Sequence, residues 1–88
     1  MPHTLTLASL HVGESGYVTT VTTPPAMARR LADLGLTRGA RVTCALQSPA
    51  GDPRAYLIRG ALIALRRTDA AGVALEGIHR PGPDLSRP

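Results

Sequence analysis

The chain has 88 residues with a formal net charge of +4, and only 2% of its residues are aromatic. This length supports one compact domain, because so short a chain buries too little surface to build two cores. The longest uninterrupted apolar stretch, residues 61–65, falls far short of the roughly 20 residues that span a bilayer, which excludes direct membrane insertion.

The first thirty residues predict a cytoplasmic protein. They contain no charged start followed by an apolar run, the pattern that directs a chain to export. The only cysteine, Cys44, cannot form an intramolecular disulfide. We therefore expect the chain to stay in the reducing cytoplasm.

Two short strands are predicted before the first helix. Leu5 and Leu7 alternate with threonines, as in a half-buried strand. Residues 10–16 contain two glycines and predict a turn, and residues 17–22 are rich in β-branched side chains that favour a strand.

One helix is predicted over residues 24–34. Thr23 is expected to cap its start, prolines are tolerated in its first turn, and Gly35 offers a left-handed stop. Leu36 is expected to fold back on Leu31, the apolar contact that often accompanies a glycine stop. The stripe that faces the core consists of Met27, Leu31 and Leu34.

Short alternating runs that follow the helix predict three more strands. Residues 41–48 and 54–59 form a hairpin around the proline-containing turn 49–53, and residues 61–66 pair back after Gly60. The side chains predicted to face inward are Val42, Cys44, Leu46, Ile63 and Leu65.

The end of the domain is predicted to contain a helical turn and a closing strand. Thr68 is expected to cap a single turn over residues 68–71, and Val73 and Leu75 belong to the last strand. The fold class is therefore mainly β: a small, partly open barrel of about five strands with one short α-helix. Residues 1–78 form this domain, and the proline-rich residues 79–88 are expected to be a flexible tail.

Four arginines are the most concentrated basic group and the candidate partner-binding patch: Arg29, Arg30, Arg38 and Arg41. Such arginines could orient the domain on an acidic surface. The ordinary alternative is a solvated face that keeps a small domain soluble. The exposed strand edge of a partly open barrel is a second docking mode.

Three histidines are the candidate metal ligands: His3, His11 and His79. Imidazole is a common ligand of transition metals, but none of the three has another His or Cys at ligand spacing. Cys44 lies on the apolar face of its strand, where a free thiol usually packs as a small hydrophobe. No cofactor is required on this interpretation, and a divalent ion such as iron or zinc stays an open alternative.

Enzymatic activity and nucleic-acid binding are both disfavoured. The chain has no lysine for a phosphate-binding loop, and it shows no nucleophile elbow or metalloprotease signature. Its arginines are scattered rather than arranged in a dense stripe. Only Tyr17 and Tyr56 could stack on bases. Nucleic-acid binding is therefore a minor alternative.

The order of three segments resembles the FeoA family. These are Leu-Gly-Leu-Thr-Arg-Gly-Ala-Arg-Val at 34–42, Ser-Pro-Ala-Gly-Asp-Pro-Arg-Ala-Tyr-Leu-Ile-Arg-Gly at 48–60, and Ile-Ala-Leu-Arg-Arg-Thr-Asp-Ala at 63–70. Residues 5–16 and 28–35 extend the similarity to some seventy residues. Each segment alone is weak evidence, and their order and spacing make the resemblance specific.

The resemblance implies an SH3-like domain that assists FeoB, the membrane ferrous iron transporter with a cytoplasmic GTP-binding domain. It implies no catalytic residue. The expected function is that of a cytoplasmic adaptor, recruited to the inner face of the membrane by its partner, that modulates iron uptake. The alternative is a metal-responsive domain that binds a transition metal across a homo-oligomer.

Overall fold

Six antiparallel strands form one continuous sheet in the structure, a computed structural model that describes residues 5–80. The strands are β1 (Leu5–Thr6), β2 (Ser15–Val21), β3 (Arg41–Gln47), β4 (Arg54–Ile58), β5 (Ala61–Leu65) and β6 (Val73–His79). Their order across the sheet is β1-β6-β2-β3-β4-β5. Helix α1 (Pro25–Asp33) connects β2 to β3, and the short helix α2 (Arg67–Ala70) connects β5 to β6.

The predicted mainly β, open architecture is confirmed, with six strands where about five were expected. Strands β1 and β5 form the two edges of the described sheet. The sheet curves around one core, whose fully buried large side chains include Leu7, Leu10, Leu31, Leu36, Tyr56 and Ile58. Neither helix among residues 5–80 has the length and apolarity to cross a membrane.

The first strand is shorter than predicted, because the chain turns inward after Thr6. A single 3-10 turn covers Leu7–Ser9, and it directs both Leu7 and Leu10 into the core. The hydroxyl of Tyr56 on β4 donates a hydrogen bond to the Leu7 carbonyl at 3.1 Å. Burial of these two leucines stabilises the turn more than continued strand pairing would, since each buried leucine contributes about 1.5–3 kcal/mol.

Helix α1 ends as predicted. Gly35 has a φ of +96°, and the Leu36 amide donates to the Leu31 carbonyl at 2.8 Å while the Gly35 amide donates to Ala32. This is the Schellman arrangement, which satisfies carbonyls that the last turn would leave unpaired. Leu31 and Leu36 are both buried, and the other stripe residues, Met27 and Leu34, pack against the core.

The predicted cap of α1 by Thr23 is wrong. The N-cap position is Pro24, and no side chain caps the helix. Thr23 therefore stands one residue too early, and its hydroxyl is buried without a hydrogen-bond partner among the described residues. Its methyl group packs closely on Gly72, where an added Cβ would lie 2.8 Å away. The contact of its methyl group with Gly72 therefore sets the position of the Thr23 side chain. The preference of threonine for the N-cap position had predicted a different one.

The hairpin of β3 and β4 is confirmed, but Leu46 does not face inward. Its side chain is 57% exposed, whereas Val42 and Cys44 are fully buried. The pairing shifts by one residue between Cys44, opposite Tyr56, and Leu46, opposite Ala55. This bulge inserts an extra residue into β3, which reverses the alternation beyond it.

Helix α2 is also capped differently from the prediction. Its N-cap residue is Arg66, and Thr68 lies inside the helix without a capping hydrogen bond. Instead, the Arg67 amide donates to Oδ1 of Asp52 at 2.9 Å, so the β3–β4 turn supplies the acceptor. The neighbouring strand matches the prediction, with Ile63 and Leu65 buried.

The last strand extends past the predicted domain boundary at residue 78. Val73 and Leu75 are buried as expected, and β6 continues to His79, which pairs with Ser15. The Arg80 side chain then forms an ion pair with Glu14. The rest of the predicted tail, residues 81–88, lies outside the described residues.

Candidate functional site

The outer face of β3 and β4 carries a groove of about 370 Å³. Arg41 is the first residue of β3, and Arg59 directly follows the last residue of β4, in the turn that leads to β5. Both arginines line the groove, with Thr43, Leu57 and Gly60. The groove is therefore a cationic depression with a partly apolar floor.

The hairpin turn and the end of α1 hold Arg59 in place. Arg59 has a φ of +51°, an unusual backbone conformation for a residue other than glycine. Its side chain crosses Gly35, where an added Cβ would lie 2.9 Å from Cδ of Arg59. Gly35 thus ends the helix and also leaves room for the arginine.

The two groove arginines have no carboxylate partner among residues 5–80, where the single ion pair joins Arg80 to Glu14. Arg41 contacts the hydroxyl of Ser15 at 3.5 Å, which is at the outer limit of a hydrogen bond. Along the same row of the sheet, Tyr17 pairs with Arg41 on one side and with Glu76 on the other, so it separates the two charged residues. Two arginines that line one depression without an ion-pair partner among residues 5–80 make the groove electrostatically suited to an anion.

Apolar side chains adjoin the arginines. Leu57 pairs directly with Leu62 on β5, and their exposed fractions are 42% and 54%. Strand β5 is an edge of the described sheet, and its residues, Ala61–Leu65, carry no charge. Edge strands usually carry charges or prolines that prevent pairing with another chain. This face therefore offers both an apolar contact and a free strand edge.

Of the four predicted partner-binding arginines, only Arg41 lines the groove. Arg29 and Arg30 are exposed on α1, and Arg38 is exposed in the loop that leads to β3. The sequence interpretation missed Arg59, which lines the same groove as Arg41. No local signal in the sequence associates the two, because Arg59 lies in the turn between β4 and β5.

The described part of the chain contains two of the three predicted metal ligands. His3 lies outside the described residues. His11 and His79 are both exposed, and within residues 5–80 no three side chains of His, Cys, Asp or Glu are placed to hold one metal ion. A metal site at any of these three histidines therefore stays a prediction.

The polar side chains of Arg54 and Tyr56 have structural partners. Nη1 of Arg54 donates to the carbonyls of Ala8, at 3.3 Å, and Leu10. The adjoining space beside Tyr56 cannot hold even a water molecule. Desolvation by burial raises the pKa of Tyr56 to about 12 and also raises the pKa of the Cys44 thiol. A buried thiol held protonated is a poor nucleophile and a poor metal ligand, in agreement with its predicted role in core packing.

Glu14 is the one buried acidic residue of the described region, with 5% of its surface exposed. Its Oε1 accepts the amide of His11 at 2.8 Å, and Oε2 accepts Nε of Arg80. The His11 amide hydrogen bond lowers the pKa of this carboxyl, and Arg80 adds to the effect, against the opposing influence of burial. Glu14 therefore ties the loop before β2 to the end of β6.

Comparison with known proteins identifies relatives of this fold. The family model of the FeoA domain matches residues 5–76. The FeoA protein of Chlorobium tepidum is 34% identical, with a TM-score of 0.76, over 94% of this chain and 85% of that one. The FeoA-like protein of Clostridium acetobutylicum is 25% identical, with a TM-score of 0.74, over 86% and 88%. No match was found among the curated protein sequences.

A third relative connects the fold to iron transport. The Stenotrophomonas maltophilia FeoA, solved as a zinc complex, is 28% identical, with a TM-score of 0.76, over 86% of this chain and 96% of that one. It is described as a prokaryotic SH3-domain protein and a candidate activating factor for bacterial ferrous iron transport. These similarities confirm the SH3-like fold expected from the resemblance, and the chain belongs to the FeoA family.

Proposed function

We propose that this chain is a non-catalytic accessory protein of bacterial ferrous iron transport. It docks on the cytoplasmic part of an FeoB-type transporter and modulates uptake through complex formation. The observation that carries the proposal is the match of the FeoA domain over residues 5–76. A relative described as a candidate transport activating factor adds support.

The chemistry of the described residues supports a binding role. Glu14, Tyr56 and Cys44 are buried, and the first two are engaged in hydrogen bonds that hold the fold. The accessible features are instead arginines and apolar side chains on the sheet and on α1. Such surfaces orient a partner and discriminate against the wrong one more than they supply affinity.

A binding titration tests this proposal. The labelled domain is titrated with the cytoplasmic region of an FeoB-type transporter from the same organism, with GDP, with a non-hydrolysable GTP analogue and without nucleotide. Saturable binding in at least one of these states is expected. Lack of saturable binding in all three would overturn the proposal.

A variant separates the docking surface from the function. The double variant, Arg29→Glu with Arg30→Glu, reverses two charges on α1. Its control, Arg66→Glu with Arg67→Glu, makes the same charge change just after the end of β5. If α1 contributes, the double variant binds more weakly than the control. If the double variant binds the transporter region as the wild type does, the α1 arginines are not part of the docking surface, and the proposed function is unaffected.

Direct metal binding is the second candidate function, favoured by the zinc complex of the S. maltophilia relative. The described residues do not provide a ligand set within one chain. Calorimetry with zinc and with ferrous ion, repeated on His11→Ala and His79→Ala, tests this candidate. Stoichiometric binding that either substitution abolishes would favour it over the adaptor.

A further inference from the structure

We propose that the groove between Arg41 and Arg59 binds a carboxylate side chain of an acidic, partly aliphatic segment of a partner protein. This inference deepens the proposed adaptor function, since it names the surface and the kind of segment by which the domain would dock. It differs from the α1 arginine patch, which lies on another element.

The positions of the two guanidinium groups carry the first step. Arg41, at the start of β3, and Arg59, in the turn after β4, line one depression. No carboxylate of residues 5–80 forms an ion pair with either arginine. A carboxylate that enters the depression would offset both positive charges and accept charge-assisted hydrogen bonds from them.

Preorganisation is the second step. The Arg59 side chain packs over Gly35, and the backbone at Arg59 is already held in a left-handed conformation. The aliphatic part of this arginine is therefore positioned before a ligand arrives. Less conformational entropy is then lost on binding than for a free surface arginine.

The apolar neighbours indicate a polypeptide rather than a phosphate. Leu57 lines the groove and pairs with Leu62, and both are about half exposed. A phosphate group could occupy the space between the arginines but would leave these leucines in water. A peptide with acidic and aliphatic side chains would cover both, and burial of each leucine would add to affinity.

The test uses an eight-residue capped peptide in which glutamate alternates with valine or threonine. It is titrated into the isotope-labelled domain while amide NMR shifts are followed. We expect saturable shifts at Thr43, Leu57 and Gly60, and binding that weakens as salt is added. The same peptide with glutamine in place of glutamate is the matched ligand control and should bind at least about tenfold more weakly.

Two variants test the residues themselves. Arg59→Glu should weaken peptide binding at least about tenfold, since it replaces attraction by repulsion. Arg66→Glu carries the same charge change at an exposed residue that follows β5, outside the groove, and should bind the peptide like the wild type. A well-dispersed amide spectrum of each variant shows that it remains folded. Equal binding by wild type and Arg59→Glu would overturn the proposal, as would saturation by inorganic phosphate with no response to the peptide.

A last comparison separates this inference from the proposed function. Wild type and Arg59→Glu are each titrated with the transporter's cytoplasmic region. If the wild type and Arg59→Glu bind the transporter region equally well, the groove is not the docking site, and the proposed adaptor function is unaffected. If the wild type binds the peptide but never the transporter, the adaptor function fails and the groove remains a site for another acidic partner.

Discussion

Replacement of Tyr56 by phenylalanine tests the account of the core. The ring is 1% exposed and should stay packed, so the change removes only the hydroxyl that donates to the Leu7 carbonyl at 3.1 Å. That carbonyl keeps a second hydrogen bond, from the Leu10 amide at 3.1 Å. The loss at neutral pH should therefore lie in the ordinary range of about 0.5–1.5 kcal/mol.

The difference in stability between the wild type and Tyr56→Phe should change sign in alkaline solution. Burial raises the pKa of Tyr56 from its ordinary value of 10.0 to about 12, so the folded state keeps a proton that the unfolded state loses above pH 10. The wild type should lose up to roughly 2–3 kcal/mol between pH 10 and pH 12 from this group alone. Tyr56→Phe lacks this loss, and near pH 12 it should be the more stable protein.

Urea unfolding of both proteins at pH 7, 10, 11 and 12 measures this difference. The other alkaline titrations, including that of Cys44, occur in both proteins, so the difference between them isolates Tyr56. A constant difference across the whole range would refute the reasoning, because the hydroxyl would then be equally acidic in the folded and unfolded states.

Three further experiments test other contacts of the fold. Arg54→Leu should cost about 1.5–3 kcal/mol in urea unfolding, because the charged donor to two carbonyls is lost, while Arg66→Leu should change stability by less than about 0.5 kcal/mol. Glu14→Gln should flatten the acid side of the stability profile. The pKa of this carboxyl is lowered from 4.5, so its contribution is present above that pH and disappears as the pH falls through the folded value; an unchanged acid slope would contradict this. Leu46→Ser should hardly change the free energy of unfolding, because Leu46 is exposed, whereas Cys44→Ser should clearly lower it, because Cys44 is buried. Equal losses of stability in the two variants would argue against the β3 bulge.

The features that the sequence predicted best depend on local signals. The end of α1 was recognisable because Gly35 and Leu36 together satisfy the last carbonyls and bury an apolar contact. The hairpin of β3 and β4 was recognisable because two alternating runs flank a proline-containing turn. In both cases the residues that decide the structure are neighbours in the chain.

The features that the sequence did not predict depend on distant residues. Thr23 and Thr68 both have side chains suited to capping a helix. The Thr23 side chain packs on Gly72 instead. At the start of α2, the acceptor comes from Asp52 rather than from Thr68. The bulge that exposes Leu46 leaves no mark in the apolar pattern of β3. The same limit applies to the candidate site: proximity in sequence groups Arg41 with Arg29, Arg30 and Arg38, whereas the arginine that shares its groove is Arg59.

The most direct measurement of the central claim is an NMR titration of the labelled domain with the cytoplasmic region of an FeoB-type transporter from the same organism. The account predicts saturable shifts that cluster at Thr43, Leu57, Gly60 and the β5 amides, and that weaken as salt is added. A spectrum that stays unchanged at saturating concentrations of the transporter region would contradict it.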